Sequence, residues 1–326
     1  MTELGYVEKP MLEWLSGMGW SYRSEEQMEA FGRAINDPVA EALLVPAIRR
    51  INPAVLDDSQ AGRVVEQFRR VLNLPDPLEA NQKTLAALRD GVSVVLSPGQ
   101  DATTVKLIEF DRDKMDRNDF TATNQYRVKG TDTCIADTVL LVNGIPVVVA
   151  EYKSFINSGK DWREGVNQLH RYQRGAPGLL VPNVFCVSAD EQEFRYGSVA
   201  FQITSQRDID AQRDHWRPWL SQYPTKRLYW TLADDELDAD PVRAATHGLL
   251  LPGNVVDFIE NFTVFETKKN KTIKKVARYQ QFEAANDIVD WVLEGKYKTG
   301  LIWHTQGSGQ GYRTLHASIP CRIFSI

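Results

Sequence analysis

Apolar residues recur every three or four positions at the start of the chain, where Val7, Met11, Leu12, Leu15 and Met18 form one stripe before Gly17 and Gly19 close the segment. A second stripe runs through Val39, Leu43, Leu44, Ala47, Ile48 and Ile51, and a third through Val64, Val65, Phe68, Val71 and Leu72. Pro53 and the Pro75-Asp76-Pro77 turn punctuate them, because proline lacks the amide that a helix interior needs. A fourth helix is expected from about Ala80 to Arg89, so the first ninety or so residues read as helical.

The period then shortens. Val92 to Leu96, Val105 to Phe110, Phe120 to Val128, Ile135 to Val142 and Val147 to Tyr152 are short runs rich in β-branched residues, which predicts a meander of strands. Asn143-Gly144 separates the last two and marks a tight hairpin, since both residues tolerate the positive φ of a type I′ turn. A helix from about Trp162 to Arg174 and a buried strand from Val184 to Val187 follow. Leu232 to Val242 holds five acidic residues in eleven and reads as a solvated loop, with a domain change somewhat after it. Beyond Asn254 come an amphipathic helix, a short strand at Phe262 to Phe265, a helix from Tyr279 to Leu293, and a short apolar strand from Gly300 to His304. There are no internal repeats.

Composition narrows the function classes. The 326 residues allow one large domain or about two smaller ones. No apolar run approaches the roughly 20 residues that cross a bilayer, and the N-terminus has neither a basic nor an apolar leader region, so a cytoplasmic protein with no membrane partner is expected. The three cysteines, Cys134, Cys186 and Cys321, stand far apart and form no CxxC pair, which removes disulfides and a cysteine zinc site. Five histidines show no HExxH or paired spacing; His170 reads as a surface residue of its helix. With 38 basic and 43 acidic side chains the net charge is −5, so contact with nucleic acid must rest on local basic surface. The most basic window is ETKKNKTIKKVAR, with five lysines and an arginine against one glutamate; contact with duplex DNA and a solvated loop are equally good readings of it. Trp216 and Trp219 read as core or interdomain packing rather than base-stacking groups.

The sharpest chemical signal is Asp137 followed fourteen residues later by Glu151-Tyr152-Lys153 at the end of an apolar strand. Side chains two apart in a strand share a face, so Glu151 and Lys153 point together while Tyr152 turns away. Hydrolysis of a phosphodiester needs a divalent cation on oxygen ligands, and an Asp/Glu pair supplies them, with a lysine beside it to orient water or stabilise developing charge. The alternative is an ordinary strand ending in solvated charges. On the following helix Gln168 and Tyr172 are four apart and share a face, within reach of a nucleic-acid backbone and base. The spacing also makes a geometric demand. In a perfect two-residue hairpin Asp137 would oppose Ala150, and Glu151 would point to the opposite side of the sheet. A shared metal therefore requires a bulge, a bend or a longer loop involving Pro146, which cannot donate a ladder bond.

These residues carry a resemblance. The stretch from Gln125 to Tyr172 resembles the PD-(D/E)xK nuclease core of the restriction (R) subunit of type I restriction-modification enzymes, with Ala136 where the name-giving proline would stand. The opening YVEKPMLEWLSGMGWSY resembles the first helix of that family, and Phe258 to Phe265, ARYQQF and GLIWHTQGSG resemble the entry to its ATP-driven motor. The resemblance implies that Asp137, Glu151 and Lys153 are the catalytic set. Asp137, Glu151 and the main-chain carbonyl of Tyr152 would ligate Mg²⁺, with Mn²⁺ as a substitute and Glu8 as a further ligand, while Gln168 and Tyr172 would contact DNA. It also implies a degenerate nucleotide site at Gln281, Gly307, Ser308 and Gly309. The loop continues as Gln310-Gly311 where the family has lysine and Ser/Thr, and no Walker B acid follows, so the chain reads as a motor cut short and is expected not to hydrolyse ATP. ATP is implied only for full-length members.

The expected architecture is an α/β PD-(D/E)xK core, a mixed sheet flanked by helices, over residues 1–250, followed by an incomplete RecA-like domain over 251–326. The expected function is divalent-metal-dependent cleavage of double-stranded DNA within a type I complex that includes modification (methyltransferase) and specificity subunits. Two alternatives stand beside it: a catalytically silent DNA-binding or assembly module, and a stand-alone nuclease without translocation.

Overall fold

A computed structural model describes residues 7–198, 201, 205–221, 240–269 and 271–295. The helical opening comprises α1 (Lys9–Gly17), the edge strand β1 (Ser21–Arg23), α2 (Glu25–Ala30), α3 (Glu41–Ile51), α4 (Asp58–Leu72) and α5 (Pro77–Asp90). Caps set the helix starts. Asp57 accepts from the Gln60 amide at the head of α4, and Asp76 accepts from the Glu79 amide with Pro77 as the first helical residue of α5. The Pro75-Asp76-Pro77 turn is thus itself the start of the fourth helix.

The strands β2 (Val92–Val94) and β3 (Thr103–Val105) form a small hairpin. Three long strands, β4 (Phe120–Lys129), β5 (Thr133–Val142) and β6 (Ile145–Tyr152), are the expected meander. The short turn α6 (Phe155–Ser158), α7 (Trp162–Gly175) and α8 (Pro177–Leu180) lead to β7 (Phe185–Ala189), parallel to β6, and to β8 (Phe194–Gly197). After α9 (Gln206–Arg213) and β9 (Arg217–Pro218) come α10 (Pro241–Leu250), α11 (Pro252–Glu260), the hairpin β10 (Thr263–Lys268) and β11 (Lys271–Val276), and α12 (Tyr279–Glu294). The central sheet has seven strands in the order β1-β4-β5-β6-β7-β8-β9 and is mixed.

Alternation along β5 and β6 divides the core into two layers. Leu140, Val142, Val148, Ala150 and Tyr152 face Met11, Leu44, Phe68, Leu88, Leu249 and Phe258 from α1, α3, α4, α5, α10 and α11. Val139, Leu141 and Val149 face the opposite side, where Trp162, Val166, Leu169 and Tyr172 of α7 cover them. Each large apolar side chain buried this way contributes about 1.5–3 kcal/mol, which is what holds both helical layers on the sheet. Phe258 of α11 and Phe282 of α12 stack at 5.2 Å and meet Trp219 and Tyr196 edge-on, so the segment after residue 250 adds to the same core. Trp216 and Trp219 are both buried, as core packing requires.

Three expectations are corrected. Val105 to Phe110 is not a strand beyond Val105, because its backbone is bonded to side chains: Asn52 takes both polar groups of Lys106, and the Leu107 carbonyl accepts from the Asn143 amide. The basic window is not a solvated loop, since it builds most of the hairpin β10–β11, and Lys269, Lys271 and Arg278 are exposed on it. There Lys274 is buried with its ammonium on the Asn183 carbonyl at 2.5 Å, and Lys275 pairs with Glu266. His170 is buried, because α9 packs over that flank of α7. Of the acidic stretch, only its end lies among the described residues, where Asp240 caps α10 by accepting from the Val242 and Arg243 amides. Gly300 to His304, Gly307, Ser308 and Gly309 lie outside the described residues.

Candidate active site

The β5–β6 hairpin turns through Asn143 (φ 54°) and Gly144 (φ 76°), and a side chain at Gly144 would meet the Ala40 carbonyl at 2.3 Å. Val142 opposes Ile145 and Leu141 opposes Pro146; then the register slips, so that Leu140 opposes Val148 and Val147 is the extra residue. Val147 and Val148 accordingly turn to the same apolar layer. The slip demanded by the sequence spacing is therefore present, next to the proline that donates no ladder bond. Beyond it Thr138 opposes Ala150, and one further step brings Asp137 level with Glu151 on the face that α7 covers.

The contacts are close. The Tyr152 amide donates to Asp137 Oδ2 at 2.8 Å, and the Asp137 amide lies 3.4 Å from Glu151 Oε1. Lys153 Nζ is 3.6 Å from Glu151 Oε2. Glu151 is fully buried, and burial first, then the charge of Asp137, push its carboxyl well above the usual range, with Lys153 and Tyr172 pulling the other way. Helix α7 reaches the strand end because Gly165 has no side chain: a Cβ there would meet Ser188 Oγ at 2.1 Å and the Glu151 carbonyl at 3.3 Å. Gln168 donates to the Tyr172 hydroxyl at 2.7 Å, and that hydroxyl donates to the Ile135 carbonyl at 2.5 Å and lies against Glu151. The pair predicted to share a face does so, with Tyr172 buried and Gln168 half-buried at the rim.

Glu8, at the head of α1, comes from the far end of the sequence to the same place. Asn124 donates to its Oε1 at 2.9 Å, and Gln125 contacts both oxygens at 3.4 and 3.2 Å. Burial raises its pKa, the amide of Asn124 lowers it, and the charge of Asp137 raises it again. Asn124 and Gln125 were not legible as site residues, because β4 reads FTATNQYRVK and already carries Thr121, Thr123, Arg127 and Lys129 among its polar positions. Gln281, at the head of α12, is buried, and its side chain accepts from the Arg278 amide at 2.9 Å and so caps the helix.

The donor set fits a hard cation. Glu151 Oε2 is buried without a hydrogen-bond donor, and all candidate ligands are oxygens. Among the described residues no three His, Cys, Asp or Glu side chains converge closely enough to hold a metal, so an ion here would draw on two carboxylates and a main-chain carbonyl. No helix among the described residues is long and apolar enough to cross a membrane.

Residues 1–200 match the family described as type I restriction enzyme R protein N terminus. The chain is 31% identical over 327 residues to the type I restriction enzyme HindI endonuclease subunit of Haemophilus influenzae, covering 95% of this chain and 29% of that protein. It is 26% identical over 322 residues to a putative type I restriction enzyme MjaVIIIP endonuclease subunit of Methanocaldococcus jannaschii, covering 95% of this chain and 28% of that one. The chain thus spans less than a third of the length of these relatives.

Proposed function

Because the chain belongs to the type I restriction enzyme R protein family, we propose that it carries the DNA-cleaving site of such an enzyme, a divalent-metal-dependent endonuclease built on a PD-(D/E)xK core. One observation carries the reading: a one-residue register slip puts Asp137 and Glu151 on the same face, with the Lys153 ammonium 3.6 Å from Glu151. Two buried or half-buried carboxylates side by side repel each other, and that cost persists in a fold only where something offsets it.

Asp137, Glu151 and the Tyr152 carbonyl would hold Mg²⁺, with Mn²⁺ as a substitute. When bound, the ion supplies Lewis-acid polarisation of the phosphoryl group and lowers the pKa of water. The protein groups do the rest. Lys153, fixed beside Glu151, would place a positive charge near the phosphoryl oxygens, which gain negative charge as the phosphorus becomes pentacoordinate. Tyr172, whose hydroxyl proton goes to the Ile135 carbonyl, packs against Glu151, and Gln168 at the rim would meet the DNA backbone. In the whole protein, cleavage of double-stranded DNA would be coupled to ATP-driven translocation by a RecA-like motor, with methyltransferase and specificity subunits as partners.

The test is nicking or linearisation of supercoiled plasmid by the protein with Mg²⁺ or Mn²⁺, with and without ATP. Cleavage that requires the metal and disappears in both Asp137→Ala and Lys153→Ala supports the reading. Metal-dependent cleavage that persists in both variants contradicts it.

A further inference from the structure

The candidate site contains a third carboxylate whose surroundings differ from those of Asp137 and Glu151. Glu8 receives three amide contacts, one from Asn124 and two from Gln125, which occupy three of its roughly four acceptor directions. The Asn124 amide is oriented in turn by the exposed Tyr22, whose hydroxyl donates to Asn124 Oδ1 at 2.9 Å from the edge strand β1. Gln125 sits at a break in the β4–β5 ladder where the register itself does not change. Asn124 opposes Thr138 and Tyr126 opposes Ala136, so Gln125 is left out of the ladder beside Asp137. Its φ is 50°, a region that non-glycine residues enter only where the surroundings impose it. The conformation that strains Gln125 is the one that delivers its side chain to Glu8.

Resting on the metal-dependent reading above, we propose that Asn124 and Gln125, with Tyr22 behind them, are positioning residues that hold Glu8 outside the ligand set of the ion gripped by Asp137 and Glu151. This departs from the expectation that Glu8 is a ligand. It agrees with the absence, among the described residues, of three side chains converging to hold a metal. The chemical consequence is a matter of charge. A third carboxylate on the ion would tighten its binding and cancel more of the positive charge available to a phosphate, whereas Glu8 held on amides leaves that charge in place.

The test uses Mn²⁺ alone, titrated into the 326-residue chain and followed by electron paramagnetic resonance of the free ion. Glu8→Gln is expected to weaken binding by no more than about threefold, because it removes a neighbouring charge but no direct bond to the ion. Gln125→Gly suits the positive φ, removes the amide and frees Glu8, so it is expected to tighten Mn²⁺ binding about three- to tenfold. Gln125→Asn, which tolerates the same φ but falls short of Glu8, serves as the second variant and should act alike. The double variant Glu8→Gln with Gln125→Gly should return to the value of Glu8→Gln alone. A loosened β4 would weaken binding, so tightening that depends on Glu8 separates positioning from a merely structural role. Tenfold or greater weakening in Glu8→Gln, or no tightening in either Gln125 variant, overturns the proposal. Asp137→Ala is the control on the underlying reading: if it leaves Mn²⁺ binding intact, the metal site and the proposal fall together, whereas loss in Asp137→Ala without tightening in the Gln125 variants removes the proposal alone.

Discussion

Lys153 and Lys274 are equally buried, each 6% exposed, yet their ammonium groups meet different things. Lys153 closes a strand end and faces Glu151 at 3.6 Å, beside a second carboxylate and an oxygen that lacks a hydrogen-bond donor. Lys274 sits in the most basic window of the chain and spends its charge on one main-chain carbonyl, with its pKa brought down to about 7 by burial. The lysine in the acidic neighbourhood belongs to a cluster with capacity left over, and the lysine in the basic neighbourhood is structural. Local charge density along a sequence therefore says less about chemistry than which charged groups the strand register forces together.

Truncating the two lysines should separate them most clearly. Lys153→Ala should cost about 10²–10³ in metal-dependent cleavage, the size of loss typical of removing one pre-organised group that stabilises transition-state charge, while Lys274→Met leaves cleavage within about threefold, measured on the same plasmid. Gly165→Ala should come next. The added methyl must push α7 away from Ser188 and Glu151, and denaturant unfolding should show a loss of about 1–3 kcal/mol.

Lys274 also has a pH signature. Its folded pKa, about 7, lies below the ordinary value of 10.5, so the unfolded chain takes up a proton that the folded chain resists. Stability from this group is fully present above 10.5 and is lost as pH falls toward 7. The parent protein should thus gain on the order of 2 kcal/mol from pH 7 to 9.5 relative to Lys274→Met, read from unfolding curves at both pH values; parallel curves would show that Lys274 is not held neutral. Glu151→Gln should abolish cleavage yet raise stability by about 1–2 kcal/mol at pH 7, since a neutral isostere replaces a fully buried carboxyl whose pKa lies well above the usual range. A fall in stability would mean that Lys153 and Tyr172 already compensate the charge. Lys271→Ala, on the exposed part of the hairpin, should change DNA affinity less than about twofold.

Much of this was open to reading from the chain. Short runs of β-branched and apolar residues along Phe120 to Tyr152 reveal the strands, Asn143-Gly144 reveals the turn, and the fourteen-residue interval between Asp137 and Glu151 implies a bulge once a shared face is required. What stayed hidden depends on long-range packing. His170 is buried by α9, more than thirty residues further on; Leu107 and its neighbours bond to side chains instead of a strand; Glu8 meets Asn124 and Gln125 across more than a hundred residues. Lys274 looked solvated because five lysines in one window suggest water, whereas the hairpin directs alternate residues inward.

The most direct measurement is anomalous scattering from crystals of the protein soaked in Mn²⁺. A peak at ligand distance, about 2.0–2.6 Å, from carboxylate oxygens of both Asp137 and Glu151, lost in Asp137→Ala, is the predicted result. A fully soaked crystal with no peak between those two carboxylates, or a peak that survives Asp137→Ala, would contradict it.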